Sequence, residues 1–529
     1  MYDYVIVGGG SAGCVLASRL SEDPSVKVCL LEAGKPDGSF LIHMPAGVAA
    51  MLPTKINNWA FQTVPQAGLN GRKGYQPRGK TLGGSSSINA MIYIRGHRAD
   101  YDRWAEEGAE GWSYREVLPY FLKAENNERG ADDYHGTGGP LNVADLRSPN
   151  PVARTFLDAA AQVQLPRTDD FNGASQEGVG PYQVTQIEGQ RCSAARAYLT
   201  PVLDRPNLDV VTGAHATRIL FEGRRAVGVA YRQGREAKEA RANREVVLSS
   251  GAFQSPQLLL LSGVGPAAEL KRHGIEVLHE LPGVGRNLQD HIDYVTAYKS
   301  SSHDLFGLSP AGAVRLVKAI GEYRREKRGL LTTNFAETGG FLKSRPDLPL
   351  PDLQLHFCVG IVDDHNRKFH GGHGYSCHVC LLRPKSRGHV GLAGPDPLAA
   401  PLIDPNFLAE AEDLEGMVRG FKVMRQILEA PAFAPIRGRE LYTAQVRDDD
   451  GIRAAIRARA DTVYHPVGTC RMGRADDDMA VVDARLKVRG LDGLRVADAS
   501  VMPSIIGGNT NAPTIMIGER AAAFIRAAA

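Results

Sequence analysis

The chain has 529 residues, a length at which two or three domains are expected. Its 62 Lys and Arg residues nearly balance 59 Asp and Glu residues, and a formal net charge of +3 excludes the dense basic surface of a nucleic-acid binder. Hydrophobic residues make up 43%, and no run approaches the roughly 18 consecutive apolar residues of a spanning helix, so the composition is that of a globular protein with large cores.

The N-terminus, Met1-Tyr2-Asp3-Tyr4, leads directly into an apolar strand over residues 2 to 7 (YDYVIV). No basic stretch or apolar leader precedes it, so no secretory signal is expected. The seven cysteines, at 14, 29, 192, 358, 377, 380 and 470, are odd in number and dispersed. That pattern fits reduced thiols and a cytoplasmic location, not a disulfide framework.

The first strand ends in Gly8-Gly9-Gly10, residues 11 to 20 (SAGCVLASRL) have helical spacing, and residues 26 to 31 (VKVCLL) form a second buried strand closed by Glu32. Strand, glycine turn, helix and strand make a βαβ unit and predict a parallel sheet. A Gly-, Pro- and Asn-rich segment follows, from 33 to about 87. A loop of that length is rare unless functional, and wrapping round an extended cofactor would account for it. Residues 208 to 232 read as short alternating strands. Residues 244 to 250 (REVVLSS) read as another apolar strand, followed by a helix from about Ser255.

Between about 300 and 460 the pattern changes. Residues 352 to 360 (DLQLHFCVG) and 374 to 382 (GYSCHVCLL) read as longer strands, and 413 to 430 as an amphipathic helix. These predict a second domain, an antiparallel sheet with helices on one side. The tail returns to a strand at 493 to 497 and a helix after Pro513. The fold class is therefore α/β (α+β overall), a Rossmann-like nucleotide domain with a parallel sheet plus a substrate domain. The expected division is 1–150, 191–300 and 461–529 for the first, and 151–190 with 301–460 for the second.

Gly8-Gly9-Gly10-Ser11-Ala12-Gly13 fits G-x-G-x-x-G. Gly8 permits the tight turn, Gly10 lets the backbone approach a pyrophosphate, and Gly13 lets the helix pack on the strand. The helix N-terminus, at Ser11 and Ala12, presents free N–H groups to negative charge. Glu32, about 20 residues on, can accept from ribose hydroxyls. This unit alone fits a nicotinamide or a flavin dinucleotide.

Four further segments occur in order: Gly79 to Asn89 (GKTLGGSSSIN), Gly251 to Gly265 (GAFQSPQLLLLSGVG), His465 to Gly473 (HPVGTCRMG), and Gly493 to Pro503 (GLRVADASVMP) with Gly508-Asn509-Thr510-Asn511 beyond. Together with the N-terminal unit they cover essentially the whole chain and resemble the glucose–methanol–choline oxidoreductase family, in its choline dehydrogenase-like and bacterial FAD alcohol dehydrogenase branch. The resemblance implies FAD as cofactor. It extends the cofactor contacts to Trp59, Thr81, Leu82, Gly83, Gly84, Ser85, Asn89, Ala216, Asp498, Ala499 and Asn509. Some relatives tether FAD through a histidine just before the Asn89 position. Here Ile88 offers no nucleophilic nitrogen, so non-covalent FAD is expected. Ala90, where some choline-oxidising relatives carry serine, weakens a specific claim for choline.

Oxidising an alcohol requires loss of the hydroxyl proton and transfer of a hydride to flavin N5. A histidine is the natural base near neutral pH. Of the 15 histidines, His465 lies in the segment that resembles the family's catalytic one. Asn509 is its implied partner, an amide able to bind the substrate oxygen and stabilise developing alkoxide character. Val463 is expected to line the pocket. The expected reaction is oxidation of a primary alcohol to an aldehyde. Electrons would pass to a quinone, an artificial acceptor or oxygen. An oxygen-using oxidase, a hydroxynitrile lyase with structural FAD, and a non-catalytic FAD scaffold are the rival readings.

Two features stand outside that frame. Cys377-His378-Val379-Cys380 reads as core cysteines of a strand, not a metal site, because no second ligand pair follows. Arg324-Arg325-Glu326-Lys327-Arg328 ends a helical stretch with Val314, Leu316, Val317, Ile320 and Tyr323. It reads first as a solvated helix end and alternatively as a weak peripheral contact with an anionic inner-membrane surface.

Overall fold

A computed structural model describes residues 1–528. Two large sheets, each with its own apolar core, dominate the architecture, and both contribute residues to one cleft.

The N-terminal βαβ unit forms as predicted, with strands Tyr2–Val7 and Val28–Glu32 flanking helix Ser11–Leu20. The strands pair in parallel, Val5 against Cys29 and Val7 against Leu31, and all five residues of the second are buried. Leu208–Thr212 adds outside Val28–Glu32, and the end of Glu236–Leu248 lies on the other side of Tyr2–Val7. Leu494–Val496 completes the parallel part. The first half of Glu236–Leu248 instead pairs antiparallel with Arg225–Gln233, which pairs with Ala214–Glu222. The predicted strand at 244 to 250 thus captures only the buried end of a 13-residue strand, because its first part is charged and largely exposed.

Helix Gly251–Leu261 begins four residues before the predicted start. The buried Asp498 explains this: Oδ2 accepts from the Gly251 N–H at 2.9 Å and from Ser255 Oγ at 2.6 Å, capping the first turn from a distant part of the chain. The segment from 33 to 87 contains only short helical turns and the two-residue strands Phe61–Gln62 and Tyr75–Gln76.

The second sheet is antiparallel, in the order Arg437–Glu440, Ile292–Ser300, Gly372–Leu381, Leu353–Cys358, Ala336–Leu342, Gly178–Pro181. Strand alternation divides its faces. Leu353, Leu355, Phe357, Val379 and Leu381 pack with helices Ala411–Leu428 and Pro151–Gln162 in one core. Gln354, His356, Cys358, His378 and Asp293 occupy the opposite face, and His356, Cys358 and His378 line the cleft. Strands Ile292–Ser300 and Asp461–Thr462 pair with each other in this sheet. Sheet membership therefore crosses the divisions expected at 300 and 461. Cys377 lies in the helix-covered core and Cys380 in the cluster on the other face.

Candidate active site

The nucleotide end is built from the turn after the first strand. Gly8 has φ +101°, and a Cβ on Gly13 would sit 1.9 Å from the Gly8 carbonyl oxygen, so helix and turn touch backbone to backbone. A Cβ on Gly10 would meet nothing closer than Ser249 O at 3.7 Å, and Gly10 lines the cleft. The helix N-cap carries no side-chain cap, which leaves its amides for a ligand anion. Glu32 Oε2 accepts from Gly9 N at 2.8 Å and Oε1 from Gly34 N at 2.6 Å. Each oxygen keeps a lone pair for a ribose hydroxyl. Burial pushes this carboxyl up to about 7, so hydroxyl donors would also favour its ionised form.

The cleft has about 2180 Å³ of space counting its open mouth, room for an extended dinucleotide and a small substrate. Of the residues expected at the site, Gly8, Gly10, Ser11, Ala12, Glu32, Trp59, Gly84, Ser85, Asn89, Ala216, Val463, His465, Asp498, Ala499 and Asn509 line it. Gly13, Thr81, Leu82 and Gly83 stand behind the wall. Thr81 Oγ1 donates to Lys35 O at 2.9 Å, Leu82 O accepts from Ser87 Oγ at 2.7 Å, and Gly83 N donates to Gly9 O at 2.7 Å. Gly83 thus ties the loop to the glycine turn, and none of the four lines the cleft. Asp498, expected to hold the ribityl or pyrophosphate part, spends Oδ2 on Gly251 N and Ser255 Oγ, while Oδ1 accepts from Ser500 N at 2.8 Å and keeps a lone pair. Asn89 Oδ1 accepts from Arg191 Nη1 at 2.8 Å and from Met91 N at 3.0 Å, which leaves its amide hydrogens for a cleft ligand. The open approach at Gly10, the uncapped helix end and Glu32 together fit a dinucleotide such as FAD. Ile88 is buried against Ile42 and Met51.

At the far end, two carbonyls fix every proton. His291 Nε2 lies 3.1 Å from Leu382 O, which can only accept, so Nε2 carries the proton. Burial holds His291 down at about 4, so the ring is neutral and its Nδ1 is an acceptor. His465 Nδ1 lies 3.0 Å away and must donate to it. His465 Nε2 is therefore an acceptor, and Asn509 Nδ2 is its donor. On the other side, Tyr182 donates to Leu355 O at 2.6 Å and accepts from Gln354 Nε2 at 3.3 Å. Gln354 Nε2 also donates to Asn509 Oδ1 at 2.9 Å, which turns Asn509 Nδ2 toward His465 Nε2 at 3.1 Å.

The imidazole is held at its backbone as well. His465 N donates to Asp290 Oδ1 at 2.9 Å, and Asp290 Oδ2 accepts from Thr462 Oγ1 at 2.6 Å. Tyr464, just before it, adopts φ +79°, with its hydroxyl 2.7 Å from His365 Nδ1. Burial, then the neighbouring His291, His356 and Arg78, hold His465 well below the ordinary imidazole value. A neutral, oriented base beside an amide donor is a proton-abstracting pair.

Sequence reasoning missed Gln354, His356, His291 and the His378–Asp293 pair. The signal for Gln354 and His356 was present, since two polar residues two apart in a predicted strand share one face of an otherwise apolar run. Among the described residues, no group of three or more metal-ligating side chains converges.

A dinucleotide cradle joined by one cleft to a buried imidazole–amide pair defines a cofactor-dependent oxidoreductase of the two-sheet flavoprotein class. Family models described as GMC oxidoreductase match residues 2–293 and 384–518, and the chain belongs to that family. It is 53% identical to an alcohol dehydrogenase (acceptor) of Pseudomonas putida, covering 99% of this chain and 96% of that protein. It is 46% identical to the mitochondrial choline dehydrogenase of Homo sapiens, covering 99% and 90%. The fold matches the crystal structure of a pyridoxine 4-oxidase from Mesorbium loti with TM-score 0.89 at 34% identity, covering 99% of each chain.

Proposed function

We propose that the protein oxidises an alcohol, chiefly a primary alcohol, to the aldehyde, with His465 as general base. The observation that carries this is the proton order at the far end of the cleft, which makes His465 Nε2 an acceptor, engaged by Asn509 Nδ2 until a substrate takes its place. A substrate hydroxyl that replaces the Asn509–His465 hydrogen bond donates its proton to Nε2. Its oxygen accepts from Asn509, which stabilises the alkoxide character that develops. FAD, when bound, supplies the two-electron acceptor for the carbinol hydride. The glycine turn and helix end would hold its pyrophosphate, Glu32 its ribose, Trp59 and Ala216 its adenine end, and Gly84, Ser85, Asn89, Asp498 and Ala499 its flavin half.

The proposed division assigns 1–150, 191–300 and 461–529 to FAD and 151–190 with 301–460 to substrate, with Ile292–Ser300 and Asp461–Thr462 joining the substrate sheet. Non-covalent binding is supported by Ile88, an apolar cleft residue where a tether would need a nucleophile. The test is anaerobic addition of a primary alcohol to the purified yellow protein, which bleaches its flavin bands. Acid precipitation of the same preparation leaves the flavin in the supernatant. A flavin that no alcohol bleaches overturns the oxidation, and flavin in the pellet overturns the non-covalent attachment.

A quinone-like acceptor at a membrane surface is supported by helix Pro310–Glu326. Only Ala319 and Tyr323 are buried, while Val314 and Val317 are 58% and 70% exposed beside the exposed Lys318, Arg324 and Arg325. Apolar side chains ringed by cations suit an anionic lipid surface. No helix among the described residues is long and apolar enough to cross a membrane. The protein is expected to sediment with anionic liposomes at low salt and to be released by salt. Failure to sediment removes this contact.

A further inference from the structure

Arg191, on the two-residue strand Gln190–Arg191, is a fully buried cation outside the His465–Asn509 pair. All its hydrogen bonds go to neutral oxygens. Nε donates to Ile42 O at 2.9 Å, and Nη1 donates to Ser86 O at 3.1 Å, Asn89 O at 2.7 Å and Asn89 Oδ1 at 2.8 Å. Nη2 is buried without a partner. Burial pushes the guanidinium down to about 9, which still leaves it charged at pH 7. A buried charge with no counter-charge is costly. Such a charge is useful where a neighbouring group gains negative charge during a reaction.

The charge reaches the cleft through two neutral groups. On the Asn89 side chain, Oδ1 is taken by Arg191 and by Met91 N, so both amide hydrogens remain for a ligand. On the backbone, the Asn89 carbonyl is taken by Arg191. The N–H of the same peptide, on Ala90, donates to no protein acceptor among the described residues. In a trans peptide that N–H points away from the carbonyl, and hence away from the guanidinium. Asn89 and Ala90 line the cleft together with Gly84, Ser85 and Ile88, and Arg191 stands behind them. A cation on an amide oxygen draws electron density from the nitrogen and strengthens its N–H as a donor. Arg191 therefore polarises both donors from behind the cleft wall.

We propose that Arg191 is a positioning residue that sets the reduction potential of the bound flavin: acting through the Asn89 amide and the Ala90 N–H, it favours the reduced over the oxidised cofactor. This rests on the reading of the cleft as an FAD site with Asn89 at the flavin half. The carbinol gives up a hydride, and with it two electrons, to the flavin. A ring that gains electrons is a stronger acceptor, so donors facing it hold the reduced form more tightly than the oxidised form. Arg191 supplies the fixed charge that strengthens those donors. It touches no substrate and transfers neither proton nor electron.

The test is a dye-linked potentiometric titration of the purified holoenzyme, with the wild type beside Arg191→Gln and Arg191→Lys. Arg191→Gln keeps a donor and loses the charge. It is expected to weaken the preference for reduced flavin by at least about tenfold, a fall of about 30 mV in a two-electron midpoint potential. Arg191→Lys keeps the charge and loses the planar fork that clamps Asn89, and is expected to stay within about threefold of the wild type. An Arg191→Gln enzyme at the wild-type potential, or an Arg191→Lys enzyme that falls as far as the glutamine variant, makes Arg191 a structural clamp only and overturns the proposal. A second comparison needs no variant. The wild-type potential is expected to lie above that of free FAD in the same buffer, and a value at or below it also overturns the proposal. Protein that purifies without flavin overturns the FAD reading itself, and this proposal with it.

Discussion

His465→Ala slows flavin reduction by an alcohol by about 10²- to 10⁴-fold, the scale of a lost general base, while FAD content stays at the wild-type level. The separation of the two effects follows from the geometry. The side chain faces Asn509 and His291, and the groups that would hold the pyrophosphate and ribose, the glycine turn and Glu32, do not touch it. Stopped-flow reduction under anaerobic conditions isolates the step from reoxidation. The wild-type pH profile carries a second signature. Burial among His291, His356 and Arg78 depresses the His465 pKa, so the base is neutral at pH 7. Activity is lost only as pH falls through that depressed value, which places the acid limb of kcat/KM below the ordinary imidazole pKa of about 6.5. In His465→Ala that limb disappears along with most of the rate. An alanine variant that reduces its flavin at the wild-type rate removes His465 from the mechanism.

The parts of the site written in local sequence were readable, and the parts made by long-range pairing were not. The glycine turn, Glu32 and the segment around His465 are short motifs whose chemistry follows from residue type and spacing. His291 meets His465 across 174 residues, and Gln354 meets Asn509 across 155. No periodicity within a strand reveals such partners, because they depend on which strands become neighbours. The start of helix Gly251–Leu261 escaped for the same reason. Its cap, Asp498, is 247 residues away, so the local signal began only at Ser255. Sheet order set the remaining difference. Ile292–Ser300 reads as an ordinary strand, and only its pairing with Gly372–Leu381 places Asp293 behind His378.

Gly13→Ala yields protein without bound FAD and with a lower melting temperature. The added Cβ would stand 1.9 Å from the Gly8 carbonyl oxygen and 3.1 Å from its carbon, so backbone must move. Neither side can yield easily. A Cβ on Gly8 would lie 2.6 Å from Ser249 O, which measures how closely the turn is held against the neighbouring strand. Behind helix Ser11–Leu20 packs helix Asn511–Ala528, where a Cβ on Gly518 would already be 3.0 Å from Val15 and 3.1 Å from Ala12. The helix is thus clamped between the turn and the C-terminal helix. Overpacking of this kind costs about 1–3 kcal/mol, and more where the obstacle is backbone. The displaced helix end would no longer aim its amides at the pyrophosphate, so cofactor affinity falls further than stability alone requires. Gly38→Ala is the matched control, because a Cβ there meets nothing within 4 Å and the residue lies in the long loop that follows the same βαβ unit. Flavin absorbance per mole of protein and thermal melting of both variants decide the matter. Full flavin content and an unchanged melting point in Gly13→Ala would show that the turn is not the cofactor cradle.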